Sequence, residues 1–502
     1  MGNLTKRLEA QKGNRTLAPI VARMLALAAM LTVSSVSCFG SAFSIAELGA
    51  RAAGMGTAFI GVADDGSALF FNPAGIAFQP GKHMQMDSLV VVGLFRFSPS
   101  VTPVGQVVPA NGYSQSIKPH FIPVASLYMT AQMSEKLTFG FGMFTPFGLS
   151  ANSTNFHDGD PNLTKFVGRF AGTRARLEEF WFQPTLAYKI SKNAAIAVGP
   201  ALVHTHLMIE QSILNPRGDA LTFGRQAANT LFPGVPTEQA AIVIARLLPE
   251  GRSRVAGTAN TVGFSLGFLY KDEGSKTNIG LTFRSAVTNH LKGKGSFAFG
   301  NDYPLQQYIG SDFLTKAFPN QDITGSFTTP ATYGFGLANS SINKMRISFD
   351  FRMQDYKRFS SVPLNFGINE NNTKDVALPA EQRLVFNFHN SYQYAVGVER
   401  AFSESLTVRA GYLRDMSPVP DQSVGPLFPD ANRNSFTVGA TKVRNGKDYT
   451  LFYEAMVFEN RTTNVPANAN QFTNGLYHNF AHLAGMALRF DMPAMPKLMK
   501  KH

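Results

Sequence analysis

Residues 137–143 read Leu-Thr-Phe-Gly-Phe-Gly-Met, with bulky apolar side chains at odd positions and small or polar ones at even positions. A period of two puts the two sets on opposite faces of a β-strand. The same pattern returns at 262–268, 279–284 and 333–337, and most clearly at 346–353, Arg-Ile-Ser-Phe-Asp-Phe-Arg-Met. Alternation alone fits two architectures. The apolar face is the core of a soluble sandwich, or it is the lipid-facing band of a barrel whose Gly, Ser and charged face lines a lumen.

Connection lengths separate the two. Short polar turns at 133–136, 191–193, 271–276, 340–344, 403–405 and 444–448 alternate with long segments at 98–117, 149–172, 215–256, 296–325, 359–388, 417–433 and 460–475. Thirteen connections imply fourteen strands, the first near 84–97 and the last near 477–490. Strict short/long alternation is the habit of bacterial outer-membrane barrels, whose periplasmic turns are short and extracellular loops long. A sandwich has no reason to sort its loops this way. The expected fold is therefore all-β, a 14-stranded antiparallel transmembrane barrel spanning 83–490.

Composition agrees once the alternation is known. Charged residues are 16% of the 502, well below the usual quarter, yet hydrophobic residues are only 44% and mean hydropathy is −0.05. With 43 Phe and a single Cys, neither a disordered chain nor a disulfide scaffold fits. The N-terminus supplies the compartment. Lys6, Arg7, Lys12, Arg15 and Arg23 precede an apolar stretch at 24–36 and a small-residue site ending at Ala42. This is the pattern of a secretory signal peptide over 1–42, with cleavage expected after Ala42. Its loss removes Cys38, five basic residues and Glu9, so the net charge falls from +13 to +9.

Residues 53–76 include a Gly-rich run (Gly54, Gly56, Gly61), the acidic pair Asp64-Asp65 and Asn72-Pro73-Ala74. This segment resembles the N-terminal hatch of the long-chain fatty acid transporter (FadL) family. Thr145-Pro146-Phe147-Gly148-Leu149 is similar to that family's third strand end. Arg409-Ala410-Gly411-Tyr412, Asp415, Ser417-Pro418-Val419-Pro420, Pro429-Asp430 and Arg433 are similar to its late strand and loop. The resemblance implies a barrel plugged by a hatch over 43–82, with a periplasmic tail at 491–502. It also implies uptake of hydrophobic compounds: capture at extracellular loops, passage into a lumen pocket and lateral exit at a kinked third strand. Long-chain fatty acids are the expected cargo. Aromatic hydrocarbons, or a plugged structural or adhesin-like barrel without transport, are the alternatives.

Candidate residues follow from these readings. Asp64, Asp65, Asn72, Pro73 and Ala74 are assigned to the hatch, where Pro73 fixes φ and Asn72 favours a turn. Gly140, Gly142, Pro146 and Gly148 mark the strand kink, or else a lumen crowded against the hatch. Strand phase turns Arg284, Arg346, Arg352, Arg409 and Arg489 inward, with Asp350, Glu399 and Glu454 on the same surface. Arg346, Arg352 and Arg409 are candidate partners for a ligand carboxylate, with bracing ion pairs as the competing role. Residues 237–248 read as a loop helix. Its Ile242, Ile244, Leu247 and Leu248, with Phe297 and Phe299, are the candidate capture patch, against packing on the barrel rim. No catalytic residue, metal site or cofactor is expected, and no Gly-x-Ser-x-Gly element is present. The expected partners are a hydrophobic small molecule and outer-membrane lipid including lipopolysaccharide, not nucleic acid, with a monomer in the outer membrane of a Gram-negative bacterium.

Overall fold

A computed structural model describes residues 42–100, 115–116, 122–152, 167–214, 218–300, 303–309, 312–367, 381–425, 427–465 and 473–492. The expected signal peptide over 1–42, apart from Ala42, and the expected tail beyond Met492 lie outside them. Fourteen strands close into one antiparallel barrel. They are β1 (Lys82–Pro99), β2 (Ile122–Gln132), β3 (Leu137–Asn152), β4 (Arg174–Lys189), β5 (Ala194–Leu214) and β6 (Glu250–Asp272). Next come β7 (Thr277–Arg284 with Val287–Phe299), β8 (Gln321–Thr329 with Thr332–Asn339), β9 (Met345–Gln354 with Ser361–Phe366) and β10 (Glu381–Val385 with Ser391–Ser403). The last are β11 (Leu406–Asp415), β12 (Arg433–Arg444), β13 (Lys447–Phe458 with Arg461–Thr463) and β14 (Gly475–Asp491). Closure is made by β1 against β14, in continuous register from His83↔Asp491 to Pro99↔Gly475.

The predicted alternation holds along the strands. Val262, Phe264 and Leu266, Ile347 and Phe349, and Phe436 and Val438 stand exposed on the outside. Thr138, Gln183, Ser265, Asp350, Arg352 and Glu454 are buried inside. A hydrophobic exterior around a polar interior is the reverse of a water-soluble fold and matches a bilayer. No helix among the described residues is long and apolar enough to cross a membrane.

Two irregularities shape the interior. The first is in β3, whose register with β4 shifts between Phe144 and Phe147. Its ladder to β2 covers only Leu127↔Met143 to Gln132↔Thr138, so beyond Met143 these two neighbours are not paired. Pro146 sits in the bulge, where its missing N–H costs no ladder bond. The second is a break at a common level in β7 to β10, after Arg284, Thr329, Gln354 and Val385. There β9 turns through a short 3-10 segment, Tyr356–Arg358, and delivers Tyr356 and Phe359 to the interior.

Residues 42–79 lie inside the barrel, nearly all buried, with only the helical turns Ala50–Ala53 and Ala68–Phe71 and the 3-10 segment Pro73–Phe78. Their fit depends on inward glycines of the wall. A Cβ on Gly411 would lie 2.1 Å from the Gly56 nitrogen, one on Gly336 2.5 Å from that of Gly61, and one on Gly280 2.4 Å from the Ile60 oxygen. Gly56 itself has φ +62°, a conformation that suits glycine. Gly140 and Gly142 of β3 face Leu69 in the same way, so they make room for the inner segment, while the irregularity in β3 falls at Thr145 and Pro146. Gly411→Val is therefore expected to expel the 54–61 stretch while the barrel persists. Heat-modifiable gel migration should be retained, with residues 42–79 newly open to protease; unchanged protection would refute the close-approach argument.

Candidate functional site

The inner segment is joined to the wall by directional bonds from many strands. Asp350 accepts from the N–H groups of Phe59 and Ile60 at 2.7 and 2.8 Å, and Asp87 accepts from Ala50 at 2.7 Å. Asn72, ahead of Pro73, donates to the carbonyls of Ile60 and Phe268 and accepts from Ala74 N–H at 3.3 Å. Asp65 accepts from the amide and hydroxyl of Ser67, so it closes a turn within the segment.

Asp64 has a different role. Arg51 donates to it at 2.5 Å and Arg346 at 2.7 Å, while Glu399 receives Arg51 at 2.9 Å and Arg409 at 2.7 Å. Burial alone would raise the Asp64 carboxyl, but Arg51 and then Arg346 hold it far below the usual carboxylate range. Arg346 and Arg409 are thus committed to this network near the short-turn end, and neither is placed for a ligand. Removing one member of such a partly buried cluster costs roughly 3–5 kcal/mol. Arg51→Ala should accordingly raise amide exchange of residues 42–79 without opening the barrel ladder. The depressed Asp64 pKa means this attachment is fully present above about pH 4, the ordinary aspartate range, and weakens only as pH falls below it. The contribution of this network, read as the difference in exchange protection between the unaltered protein and Asp64→Asn, should be flat from pH 8 to about 5 and decline under stronger acid; a decline of that difference beginning near neutrality would contradict the network.

Arg352, the third candidate, lies elsewhere. It donates to the Thr57 carbonyl at 2.9 Å and to the Thr57 hydroxyl, and its guanidinium lies 5.9 Å from the Phe71 ring. With Arg284 it lines a small cavity of about 30 Å³ beside Ile45, Phe70, Phe71, Phe147 and Gln354. Arg284 donates to the Phe70 carbonyl at 2.7 Å and lies over the Phe70 ring at 4.3 Å. The Nε of each arginine is buried with no hydrogen-bond partner among the described residues. Two buried guanidinium groups lining one cavity of mixed polar and apolar walls can receive an anionic head group. Sequence phase turned Arg284 inward; nothing in the sequence marked it as the neighbour of Arg352, since they are brought together by register on either side of β8, Arg284 across from Thr332 and Arg352 across from Gly334.

An aromatic chamber adjoins this cavity. Phe43 is fully buried, with ring centroids 5.8 Å from Phe147, 5.1 Å from Tyr356, 5.0 Å from Phe359 and 6.4 Å from Phe428. Residues 43–45 lie along β3 beyond the bulge: Ile45 donates to the Pro146 carbonyl at 2.9 Å and Gly148 to the Phe43 carbonyl at 2.7 Å. Burial raises the Glu47 carboxyl, and it likewise raises Asp430, which accepts from Ala42 N–H at 3.0 Å.

At the long-loop end, the predicted loop helix runs Thr237–Leu247 and packs against a second helix, Gly218–Leu231, absent from the sequence reading. Ile244 and Leu248 are buried in the loop's own core, Leu247, Phe297 and Phe299 are half-buried, and Ile242 is exposed. The expected open patch is therefore largely a packed cluster: with a helical period, the Ile244 face pairs with the neighbouring helix and leaves Ile242 outside. Phe297 belongs to both this cluster and the main core, lying 5.9 Å from Phe318 and 6.3 Å from Phe366. Phe327 then lies 5.9 Å from Phe359 of the chamber.

A closed barrel of fourteen antiparallel strands, apolar outside and filled by its own N-terminal segment, defines an outer-membrane β-barrel of the transport type. Residues 31–491 match the family described as outer membrane protein transport protein (OMPP1/FadL/TodX), and the chain belongs to that family. It is 22% identical over 466 residues to the long-chain fatty acid transport protein of Escherichia coli, covering 89% of this chain and 94% of that one. In fold it is similar to a Pseudomonas aeruginosa FadL homologue, with TM-score 0.70, 15% identity and 90% and 99% coverage. It is also similar to the Pseudomonas putida toluene transporter TodX, with TM-score 0.62, 17% identity and 89% and 98% coverage.

Proposed function

We propose that this protein takes up hydrophobic compounds across the outer membrane, with long-chain fatty acids the favoured cargo. The observation that carries this reading is an apolar tract. It leads from the loop cluster through Phe297 and Phe366 to the chamber around Phe43 and Phe359, and ends at Phe147, where β2 and β3 lose their pairing. Such a tract offers an apolar ligand a route shielded from water, and the unpaired stretch between two strands offers a side exit into lipid. The inner segment over 43–79 serves as a hatch, and the loop cluster with Ile242 and Leu247 as the first contact.

Fatty acids are favoured over aromatic hydrocarbons by Arg284 and Arg352. A carboxylate satisfies their buried Nε donors, whereas a neutral ring leaves them unmet. The cavity beside them has room for one or two waters. Ligand entry therefore requires residues 43–46 to withdraw from β3. A hydrogen bond to a charged group contributes roughly 1.5–3 kcal/mol, so Arg284→Gln with Arg352→Gln should slow labelled oleate uptake about tenfold or more and leave toluene uptake unchanged. Equal loss of both cargoes would remove the head-group role. Uptake of neither cargo in cells expressing the unaltered protein over a deletion strain would favour the non-transporting barrel. Ser44 accepts from Gln354 at 2.7 Å, so Ser44→Cys with Gln354→Cys should block oleate uptake when oxidised and restore it on reduction. Uptake unaffected by a formed disulfide would show that the segment need not move.

A further inference from the structure

The short turns of an outer-membrane barrel lie at its periplasmic end. Between β12 and β13 the turn is two residues, Asn445 and Gly446, with φ +52° and +69°, the type I′ geometry of a tight hairpin. Register sets Arg444 directly across from Lys447, and Lys442 across from Tyr449. Both pairs share the outward face, which continues into the membrane as Ala440, Val438 and Phe436 on β12 and as Leu451, Tyr453, Ala455 and Val457 on β13. Like charges directly opposite each other on paired strands repel and destabilise the pairing. An anion lying between them removes that cost.

The protein itself supplies no such anion. Lys442, Arg444 and Lys447 are exposed and have no ion-pair partner among the described residues. Lys442 donates to the Ser405 hydroxyl at 2.9 Å. Of the carboxylates at this end of β10 to β14, Glu404 makes no ion pair among the described residues, Asp448 turns inward to Arg489 at 3.5 Å, and Asp491 is held by His83 at 2.7 Å. Hairpins on the other wall mix their signs, with Glu135 beside Lys136 and Glu273 3.9 Å from Lys192.

Height and neighbours identify the occupant. From Val457 to Tyr449 the tilted strand descends about 20 Å, most of an apolar band about 25 Å tall. Tyr449, 46% exposed, therefore marks the lower edge of the band. Lys447, two residues further on, sits about 5 Å beyond that edge, inside a head-group layer about 5–8 Å thick. Arg444 shares this height by register, and Lys442 stands at the edge with a stem long enough to reach the layer. Leu406 of β11 lies across from Lys442, while Phe490 and Leu488 of β14 lie across from Lys447 and Tyr449. Cations bordered by apolar side chains on both sides and above suit an amphiphile better than a soluble anion. Three cations without a paired acid also leave nothing to receive a zwitterionic head group's ammonium.

We propose that the outward face of the β12–β13 hairpin binds phosphatidylglycerol of the periplasmic leaflet. Its phosphodiester lies between Arg444 and Lys447 in charge-assisted hydrogen bonds, with Lys442 beside it. The acyl chains run along Tyr449, Leu451, Leu488 and Phe490.

The test uses the full-length protein purified in non-ionic detergent, with bound lipid counted by native mass spectrometry. Phosphatidylglycerol is the probe, and phosphatidylethanolamine, bisphosphorylated lipid A and glycerol 1-phosphate are the comparisons. A basic residue near an anionic lipid surface contributes about fivefold in affinity, so Arg444→Gln/Lys447→Gln should bind phosphatidylglycerol about tenfold or more weakly than the unaltered protein. Lys136→Gln/Lys192→Gln, at the same end of the other wall, should bind it as the unaltered protein does. Phosphatidylethanolamine should bind more weakly than phosphatidylglycerol and be insensitive to the Arg444 and Lys447 substitutions. Equal binding of phosphatidylglycerol by the Arg444→Gln/Lys447→Gln variant, or an equal loss in the Lys136→Gln/Lys192→Gln variant, would overturn the proposal. Lipid A or glycerol 1-phosphate bound as tightly as phosphatidylglycerol would overturn it in favour of a general anion site. Folding of each variant is checked by heat-modifiable migration. Should the hairpin double variant fail that check, Arg444→Gln alone decides, with a loss of about fivefold expected.

Discussion

A backbone threaded through a closed lumen has nowhere to send its N–H and C=O groups except to the wall, and each one left buried and unmet costs about 1–3 kcal/mol. Residues 42–79 have little secondary structure with which to satisfy themselves. The wall answers in two ways. Where it lies at arm's length it supplies side chains, as Asp350 does to Phe59 and Ile60, Gln183 to the Leu69 carbonyl and Tyr128 to the Leu48 carbonyl. Where it lies closer it supplies glycine, as at Gly280, Gly336 and Gly411. The Gly-and-polar face of the strands is thus the complement of one irregular segment.

That segment is not held uniformly. From Ala50 to Asn72 its ties are directional, and the Arg51, Asp64, Arg346, Glu399 and Arg409 network adds charge to them. Residues 43–46 are held otherwise: two backbone bonds to β3 beyond the bulge, the Ser44–Gln354 bond, and an aromatic chamber around Phe43. Aromatic contacts of this kind are weakly directional, so an apolar ligand entering the chamber can replace much of what Phe43 provides. The part next to the unpaired stretch of β3 is the part most easily exchanged for cargo, which fits the proposed transport.

The barrel was legible from period and loop length because both are one-dimensional signals. Alternation at 346–353 and the six short turns survive projection onto a sequence. Pro146 could be flagged but not settled, since Pro123, Pro184, Pro200 and Pro363 also lie inside strands and Pro200 sits in an unbroken ladder to β6. Gly140 and Gly142 were not assignable, because a glycine in a strand reads the same whether it bends the strand or admits a neighbour; Leu69 decides it. Nor could phase separate Arg346 and Arg409 from Arg352. All three point inward, and only height along the barrel decides which meets Asp64 and Glu399 and which meets the cavity. The chamber around Phe43 was missed because its rings come from loops and strand breaks at 356–359, 386–388 and 428, where periodicity says nothing.

The contrast between the axis and the wall bears on where cargo leaves. Along the axis the inner segment seals the short-turn end with ion pairs and glycine-width packing, so axial passage requires breaking charge contacts and exposing an apolar chain to water beyond. Burial of a methylene is worth about 0.8 kcal/mol, so a chain of about sixteen would forfeit roughly 13 kcal/mol in an aqueous exit. Through the wall, the stretch beyond Met143 lacks the β2 ladder already, and on the proposed lateral route a cargo would exchange an aromatic chamber for hydrocarbon with little change in apolar contact. The fold concentrates its directional bonding along the axis and omits a few strand pairings in the wall, which is the arrangement the proposed lateral route requires, since a hydrophobic molecule loses least by leaving there.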